Sequence, residues 1–179
     1  QIPSVGQSGL TLPSRDYYLE SGEPYEGVRP ALRDYIASTF RRAGVPDADA
    51  RAAKVIALET ELARRHWTQT EMRDVVRQNR GFDWDAFLGE IGYDKQPKIK
   101  VKSDTAVRDS AKLFAQTPVA DLQSYMLFHA LDDWSGSLSD EWGDAYFDFH
   151  RRKLMGVGGR RPFELEAVGH VNAMVGEES

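Results

Sequence analysis

The sequence predicts a mainly α-helical fold, an irregular multi-helix domain with at most a short β segment near residues 98–102. Apolar residues recur every three or four positions through most of the chain, which is the spacing of one helix face. Glycine, proline and short polar residues separate these stretches, as they do at helix ends. The best strand candidate is Lys98-Ile99-Lys100-Val101-Lys102, where polar and apolar side chains alternate. We therefore expect one helical domain over residues 1–179.

The first half of the chain predicts an irregular segment followed by helices. Residues 1–25 contain several glycines and prolines and show little periodicity, as loops do. Regular apolar stripes then begin, and Gly44 and Gly81 interrupt them. The helices expected in this half cover 26–43, 47–66, about 69–79, and a short stretch from Asp83 to Ile91.

Helices resume after the strand candidate. Thr117-Pro118 is a strong start signal, because proline is well accommodated at the first helical position. The four glycine and valine residues of 156–159 predict a turn rather than a phosphate loop, since the Gly-Lys-Ser/Thr ending of such loops is absent. The helices expected in this half begin at Ser103 or Asp104, at Thr117-Pro118 (continuing to about Leu138), at Ser139 and at Pro162.

Composition and charge exclude several classes of protein. Hydrophobic residues make up 41% and charged residues 28% of the chain, as in ordinary globular proteins. The net charge of −5 argues against nucleic-acid binding, which usually requires a basic excess. Cysteine is absent, so disulfides and thiolate zinc sites are excluded. No targeting segment is visible, and the start at Gln1 suggests a mature form, an engineered piece or a fragment.

The histidines do not form a zinc motif in the sequence. A zinc peptidase commonly carries His-Glu-x-x-His on a helix, and none of His66, His129, His150 and His170 has a second histidine four residues away. His129 with Asp133 and Glu166 with His170 share helix faces, so an independent metal hydrolase stays a minor hypothesis. We expect no catalytic residue, no metal ligand and no cofactor in this chain.

Two segments are more distinctive than any of these histidines. One is the stretch from Gly9 to Tyr18, in which Arg15 and Asp16 are suited to satisfy buried backbone groups. The other is Arg73-Asp74, which lies after Glu59 at a distance that fits helical spacing. Glu59 lies on an apolar stripe, and a carboxylate there needs a partner. We expect Arg73 to form a buried ion pair with it, and we assign all five residues structural roles.

The order of these motifs resembles the neprilysin family of zinc metallopeptidases, which includes endothelin-converting enzymes and bacterial O-type oligopeptidases. The resemblance covers essentially the whole chain and corresponds to the amino-terminal helical region of that family. The similar stretches are Gly-Leu-Thr-Leu-Pro-Ser-Arg-Asp-Tyr-Tyr at 9–18, Ala57-Leu58-Glu59, His66-Trp67, Arg73-Asp74, 81–88, Thr117-Pro118 to Tyr125, Leu138 to Trp142, 145–149, Leu154-Met155-Gly156 and Arg161-Pro162.

The resemblance implies a function for a longer parent protein. The parent would be a zinc-dependent endopeptidase acting on oligopeptides, with its zinc site in a catalytic domain of the same polypeptide. This chain would be the inactive helical domain that encloses the substrate chamber, with no membrane segment and no nucleic-acid partner of its own. The family also suggests a periplasmic or extracellular location. The alternative is a stand-alone helical module that binds peptides or proteins without cutting them.

Overall fold

The computed structural model describes residues 4–74 and 100–159, together with the single positions Gly89 and Val168. The fold is mainly α, which confirms the predicted class. The chain divides after Asp132 into two compact units. Within the described part of the chain, no helix is long and apolar enough to cross a membrane.

The described residues of the first unit form two short strands and six helices, and the last helix ends two residues beyond the division. The bounds of the long helices agree closely with the predicted ranges, because long apolar stripes define a helix well. The elements are β1 (Ser4–Val5), α1 (Asp16–Leu19), α2 (Tyr25–Arg42), α3 (Ala48–Arg65), α4 (Gln69–Arg73), β2 (Lys100–Val101), α5 (Asp104–Gln116) and α6 (Val119–Trp134).

Helices α2 and α3 form the central pair of this unit. Gly44 ends α2 with a positive φ of 69°. The Val45 N–H donates to the Phe40 carbonyl at 2.9 Å, and the Gly44 N–H donates to the Arg41 carbonyl at 3.0 Å. These two bonds are the Schellman pattern, which satisfies the last carbonyls of a helix and reverses the chain. The tight turn lets the apolar faces of α2 and α3 pack against each other.

The core is built on the apolar stripes of α2 and α3, and α6 adds an aromatic residue to it. Phe128 of α6 is fully buried. Its ring centroid lies 6.1 Å from that of Tyr35 and 6.2 Å from that of Phe40, both on α2, in edge-to-face arrangements. The other large buried apolar residues of the two central helices are Val28, Leu32, Ile36, Val55, Leu58 and Leu62.

The predicted strand is present as β2 and has a partner that the sequence did not indicate. Ser4 pairs with Lys100 and Val5 with Val101, in parallel register. The Lys102 N–H then donates to the Val5 carbonyl at 2.9 Å. The start of the supposedly irregular segment is therefore attached to the chain just before α5. We call residues 4–20 the amino-terminal segment.

Helix α4 begins with a capping box that we did not predict. Thr68 accepts a hydrogen bond from the Glu71 N–H at 3.2 Å, and the Glu71 carboxylate accepts one from the Thr68 N–H at 2.8 Å. This reciprocal capping box matches the pattern Thr-x-x-Glu. The helix is described to Arg73, and the remainder of the predicted 69–79 range lies outside the described residues.

The second unit continues from Asp133 with short helical turns. A 3₁₀ turn (Ser135–Ser137) is followed by α7 (Asp140–Tyr146) and by a π-helical stretch (Phe147–Lys153). The helix expected to reach Leu138 thus changes geometry after Trp134. Gly156 ends the helical run with a positive φ of 69°. The helices predicted near Asp83 and from Pro162 lie outside the described residues.

Candidate functional site

A buried carboxylate is the centre of the candidate site. Glu59 lies on the core-facing stripe of α3, between Val55 and Leu62, and is fully buried. A carboxylate in such a place is strongly destabilising unless hydrogen bonds replace its lost water. Its partners come from two elements distant in sequence, so Glu59 connects α3 to both of them.

The amino-terminal segment supplies the first partners. The Thr11 hydroxyl donates to Oε1 of Glu59 at 2.7 Å, and the Thr11 N–H donates to Oε2 at 3.4 Å. The Tyr18 hydroxyl also donates to Oε2, while accepting a hydrogen bond from the Leu12 N–H at 3.0 Å. Three donors of one short segment therefore converge on a single carboxylate.

Helix α6 supplies the remaining partner. Nε2 of His129 lies 2.9 Å from Oε1 of Glu59, and the His129 side chain is 23% exposed. The His129 ring also stacks on Tyr125, with 4.4 Å between centroids. The Tyr125 hydroxyl donates to the Gly9 carbonyl at 2.8 Å, so α6 also holds the amino-terminal segment directly.

Both tyrosines of the cluster stay protonated over the ordinary pH range. Burial raises the pKa of Tyr18 far above its usual value, and the negative charge of Glu59 and the hydrogen bond to it raise this pKa further. The pKa of Tyr125 is raised for the same two leading reasons, burial first and the Glu59 charge second. The two hydroxyls therefore act as permanent donors to the cluster.

The ion pair predicted between Glu59 and Arg73 is replaced by these contacts. Arg73 is the last residue of α4 and is exposed, whereas both oxygens of Glu59 are occupied by Thr11, Tyr18 and His129. Sequence spacing indicated correctly that the carboxylate needs a partner. It missed the true ones because they lie 41 to 70 positions away along the chain.

The other predicted structural residues occupy separate places. Arg15 donates from Nε to the Ala63 carbonyl at 3.1 Å, in the last turn of α3, where a cation also complements the helix dipole. Asp16 begins α1 and accepts a hydrogen bond from the Ser14 hydroxyl at 3.4 Å. Asp74 follows α4, and its N–H donates to the Glu71 carbonyl at 3.2 Å.

A cleft of about 250 Å³ lies beside this cluster. Its walls come from residues 7–15 and from the chain after α3, including His66 and Trp67. Gln7 closes one end, because its side-chain amide donates to the Trp67 carbonyl at 3.1 Å and accepts from the Trp67 N–H at 2.7 Å. Arg15 is the cationic residue of this lining.

The arrangement holds the amino-terminal segment, α3 and α6 together. Among residues 4–74 and 100–159, no group of three or more His, Cys, Asp or Glu side chains could hold a metal ion. His129, the partner of Asp133 in the metal-site hypothesis, hydrogen-bonds to the Glu59 carboxylate. Glu166 and His170 lie outside the described residues.

Comparison with known proteins places the chain in a family. The model for the amino-terminal part of peptidase family M13 matches residues 1–179, the full length of the sequence. The chain belongs to peptidase family M13. This confirms the resemblance to the neprilysin and endothelin-converting enzyme family, and it confirms that the amino-terminal region is the part represented.

Curated relatives support the same assignment over most of the M13 chain. Endothelin-converting enzyme 1 of Mus musculus is 28% identical over 163 residues, which are 80% of this chain and 21% of the relative. Endothelin-converting enzyme-like 1 of Mus musculus is 22% identical, and the alignment covers 92% of this chain and 23% of the relative. The M13 chain therefore spans about a fifth of the length of these relatives.

Solved structures show the same fold. The zinc metalloprotease Zmp1 of Mycobacterium tuberculosis, in its open state, matches with a TM-score of 0.82 and 25% identity, over 97% of this chain and 29% of that one. The inhibitor complex of Zmp1 matches with a TM-score of 0.81 and 24% identity. The M13 chain thus has the fold of one part of a larger protease.

Proposed function

We propose that this chain is the non-catalytic helical part of a zinc-dependent metalloendopeptidase that acts on oligopeptides. The observation that carries the proposal is the match of residues 1–179 to the amino-terminal part of family M13, together with the fold similarity to about three-tenths of the zinc metalloprotease Zmp1. In this proposal, a catalytic domain of the same polypeptide supplies the zinc and its ligands.

The proposed role of the chain is to wall the substrate chamber. The cluster around Glu59 supports an architectural role, because it attaches the amino-terminal segment to α3 and α6 with donors that remain protonated. A wall of a chamber must keep its shape while peptides enter and leave, and buried hydrogen-bond networks provide that rigidity. The expected partners are therefore the catalytic domain and oligopeptide substrates.

The intact mass and the zinc content of the native product test this proposal. The product would be captured from source cells with an antibody against this chain, and cells lacking the gene would serve as the control. We expect a product several times heavier than 20.2 kDa that contains zinc and cleaves oligopeptides. A zinc-free product of this chain's own mass would contradict the proposal.

The second outcome would favour the alternative function, a stand-alone helical module that binds peptides. The cleft beside His66 and Trp67 is the described place where such binding would be sought first. Retention of fluorescent oligopeptides by the zinc-free product, without their cleavage, would identify a binding module.

A further inference from the structure

His66 is buried with one ring nitrogen that has no hydrogen-bond partner. The residue directly follows α3 and is 7% exposed. Among the described residues, nothing hydrogen-bonds to its Nε2 atom. A second proton on the ring would turn the unpaired Nε2 into a buried donor without an acceptor.

Residues 7–15, which we call the strap, line the same cleft as this ring. One end of the strap is fixed by Gln7, whose N–H donates to the Ser103 hydroxyl at 2.9 Å and whose side chain pairs with the backbone of Trp67. The other end is fixed by Arg15 through the Ala63 carbonyl. The Nε2 atom of the ring is buried while the strap is closed, and opening of the strap would expose it to water.

The charges around His66 disfavour a second proton on the ring. Burial lowers the pKa of His66 most, and the positive charge of Arg15, from the strap, lowers it further. Glu59, the buried carboxylate of α3, is already occupied by Thr11, Tyr18 and His129. From the chain after α3, the cleft is lined by the uncharged Trp67 and Gln69. Among the described residues that line the cleft there is no carboxylate, so an imidazolium here would have an unpaired donor and a cation beside it.

We propose that the strap is an acid-sensitive latch, in which protonation of His66 releases residues 7–15 from the groove beside α3. The proton is excluded while the strap is closed, and it binds readily once the ring meets water. This inference concerns regulation of the chain and does not depend on the proposed peptidase function.

The direction of the pH dependence follows from this coupling. Burial is the largest cause, and the charge of Arg15 a smaller one, of a His66 pKa below its ordinary value of 6.5. In the open form the pKa returns toward that ordinary value. The closed strap is therefore fully stable above about pH 6.5 and loses stability as the pH falls below it.

Hydrogen exchange of the full chain between about pH 7.5 and about pH 5 tests the latch. After correction for the intrinsic pH dependence of exchange, amides of residues 7–15 should exchange up to about tenfold faster per pH unit below about pH 6.5. Amides of α2 serve as an internal reference and should show no such acceleration. Equal behaviour of the two regions would overturn the proposal.

Two variants separate His66 from the other histidine of this region. His66→Gln should abolish the acceleration, because glutamine does not titrate. His129→Gln should preserve it, since glutamine still offers a donor to Glu59. The same acceleration in His66→Gln as in the unmodified chain would overturn the proposal.

Nitrogen NMR of the histidine rings tests the latch if His66→Gln fails to fold. The unmodified chain should show a titration midpoint of His66 below 6.5. A midpoint at or above 6.5 would contradict the latch.

Discussion

The α2–α3 pair and the amino-terminal segment are held in place by different kinds of contact. Between the two helices, many apolar side chains such as Ile36, Phe40 and Val55 share the stabilisation, and each is fully buried. The segment of residues 4–20 instead depends on a few polar contacts, several of which end on Glu59. One region is thus stabilised by a distributed core and the other by a small number of polar contacts, of which those to Glu59 are buried.

This difference determines how substitutions should destabilise each region. Apolar packing is lost in proportion to the volume removed, and its loss weakens the whole unit. A polar cluster fails when one shared acceptor disappears, because every donor that pointed at it becomes unsatisfied. Substitutions in the helix pair should therefore lower global stability, whereas substitutions at Glu59 should also release one segment selectively.

The largest loss is expected for Phe40→Ala. The Phe40 side chain is fully buried against Phe128 of α6, and a cavity of this size typically lowers the free energy of unfolding by about 3–5 kcal/mol. Urea denaturation followed by circular dichroism measures the change. Val119→Ala, at an exposed position of α6, is the control and should change stability by less than about 0.5 kcal/mol. Similar losses in the two variants would argue against the distributed core.

A somewhat smaller loss is expected for Glu59→Ala. Removal of the carboxylate leaves the hydroxyls of Thr11 and Tyr18 and one nitrogen of His129 without their acceptor, at a combined cost of about 3 kcal/mol. The free energy of unfolding in urea again provides the measurement. The matched control is Glu61→Ala, whose carboxylate lies on the same helix but is exposed and paired with arginines. Equal losses at Glu59 and Glu61 would refute the special role of Glu59.

A moderate loss is expected for Gly9→Ala. Gly9 has a positive φ of 90°, and an added Cβ would collide with the Tyr125 hydroxyl that bonds the Gly9 carbonyl. Strain of this kind typically lowers stability by about 1–3 kcal/mol. Gly27→Ala is the control, because open space surrounds that helical position and alanine favours helices by about 0.5–1 kcal/mol. Thermal melting should show a lower midpoint for the first variant and an unchanged or higher one for the second.

The smallest effect is expected for Arg73→Ala. Arg73 is exposed at the end of α4, and Glu59 has other partners, so its removal should change the free energy of unfolding by less than about 0.5 kcal/mol. Thermal melting distinguishes this expectation from that of a buried ion pair. A loss of about 3 kcal/mol or more would restore the pair that the sequence suggested.

The sequence predicted the helix pair well because its information is local. The observed α2, Tyr25–Arg42, and α3, Ala48–Arg65, differ by about one residue from the predicted ranges, since apolar spacing and Gly44 define both. The partners of Glu59 are contacts between distant positions. Spacing along one helix favoured Arg73, and nothing local in the sequence indicated that Thr11 and His129 would reach the same carboxylate.

The resemblance to a known family indicated the parent protein, which apolar spacing and turn residues did not indicate. The stretch from Gly9 to Tyr18 looked like a loop with a structural purpose, and the structure shows which of its atoms serve that purpose: the Thr11 and Tyr18 hydroxyls and the Gly9 carbonyl. The pairing of Ser4–Val5 with Lys100–Val101 had no signal of its own, because a two-residue strand is too short to show alternation.

Native-state hydrogen exchange of Glu59→Gln tests most directly whether one carboxylate holds the amino-terminal segment. Glutamine keeps the size of the side chain but replaces one acceptor oxygen with a donor. The control variant is Glu61→Gln. The account predicts that amides of residues 9–18 exchange at least about tenfold faster in Glu59→Gln, since one lost hydrogen bond is worth about 1.4 kcal/mol. Amides at the centre of α2 should accelerate less than those of the segment. Unchanged protection of residues 9–18, or an equal acceleration throughout the unit, would contradict it.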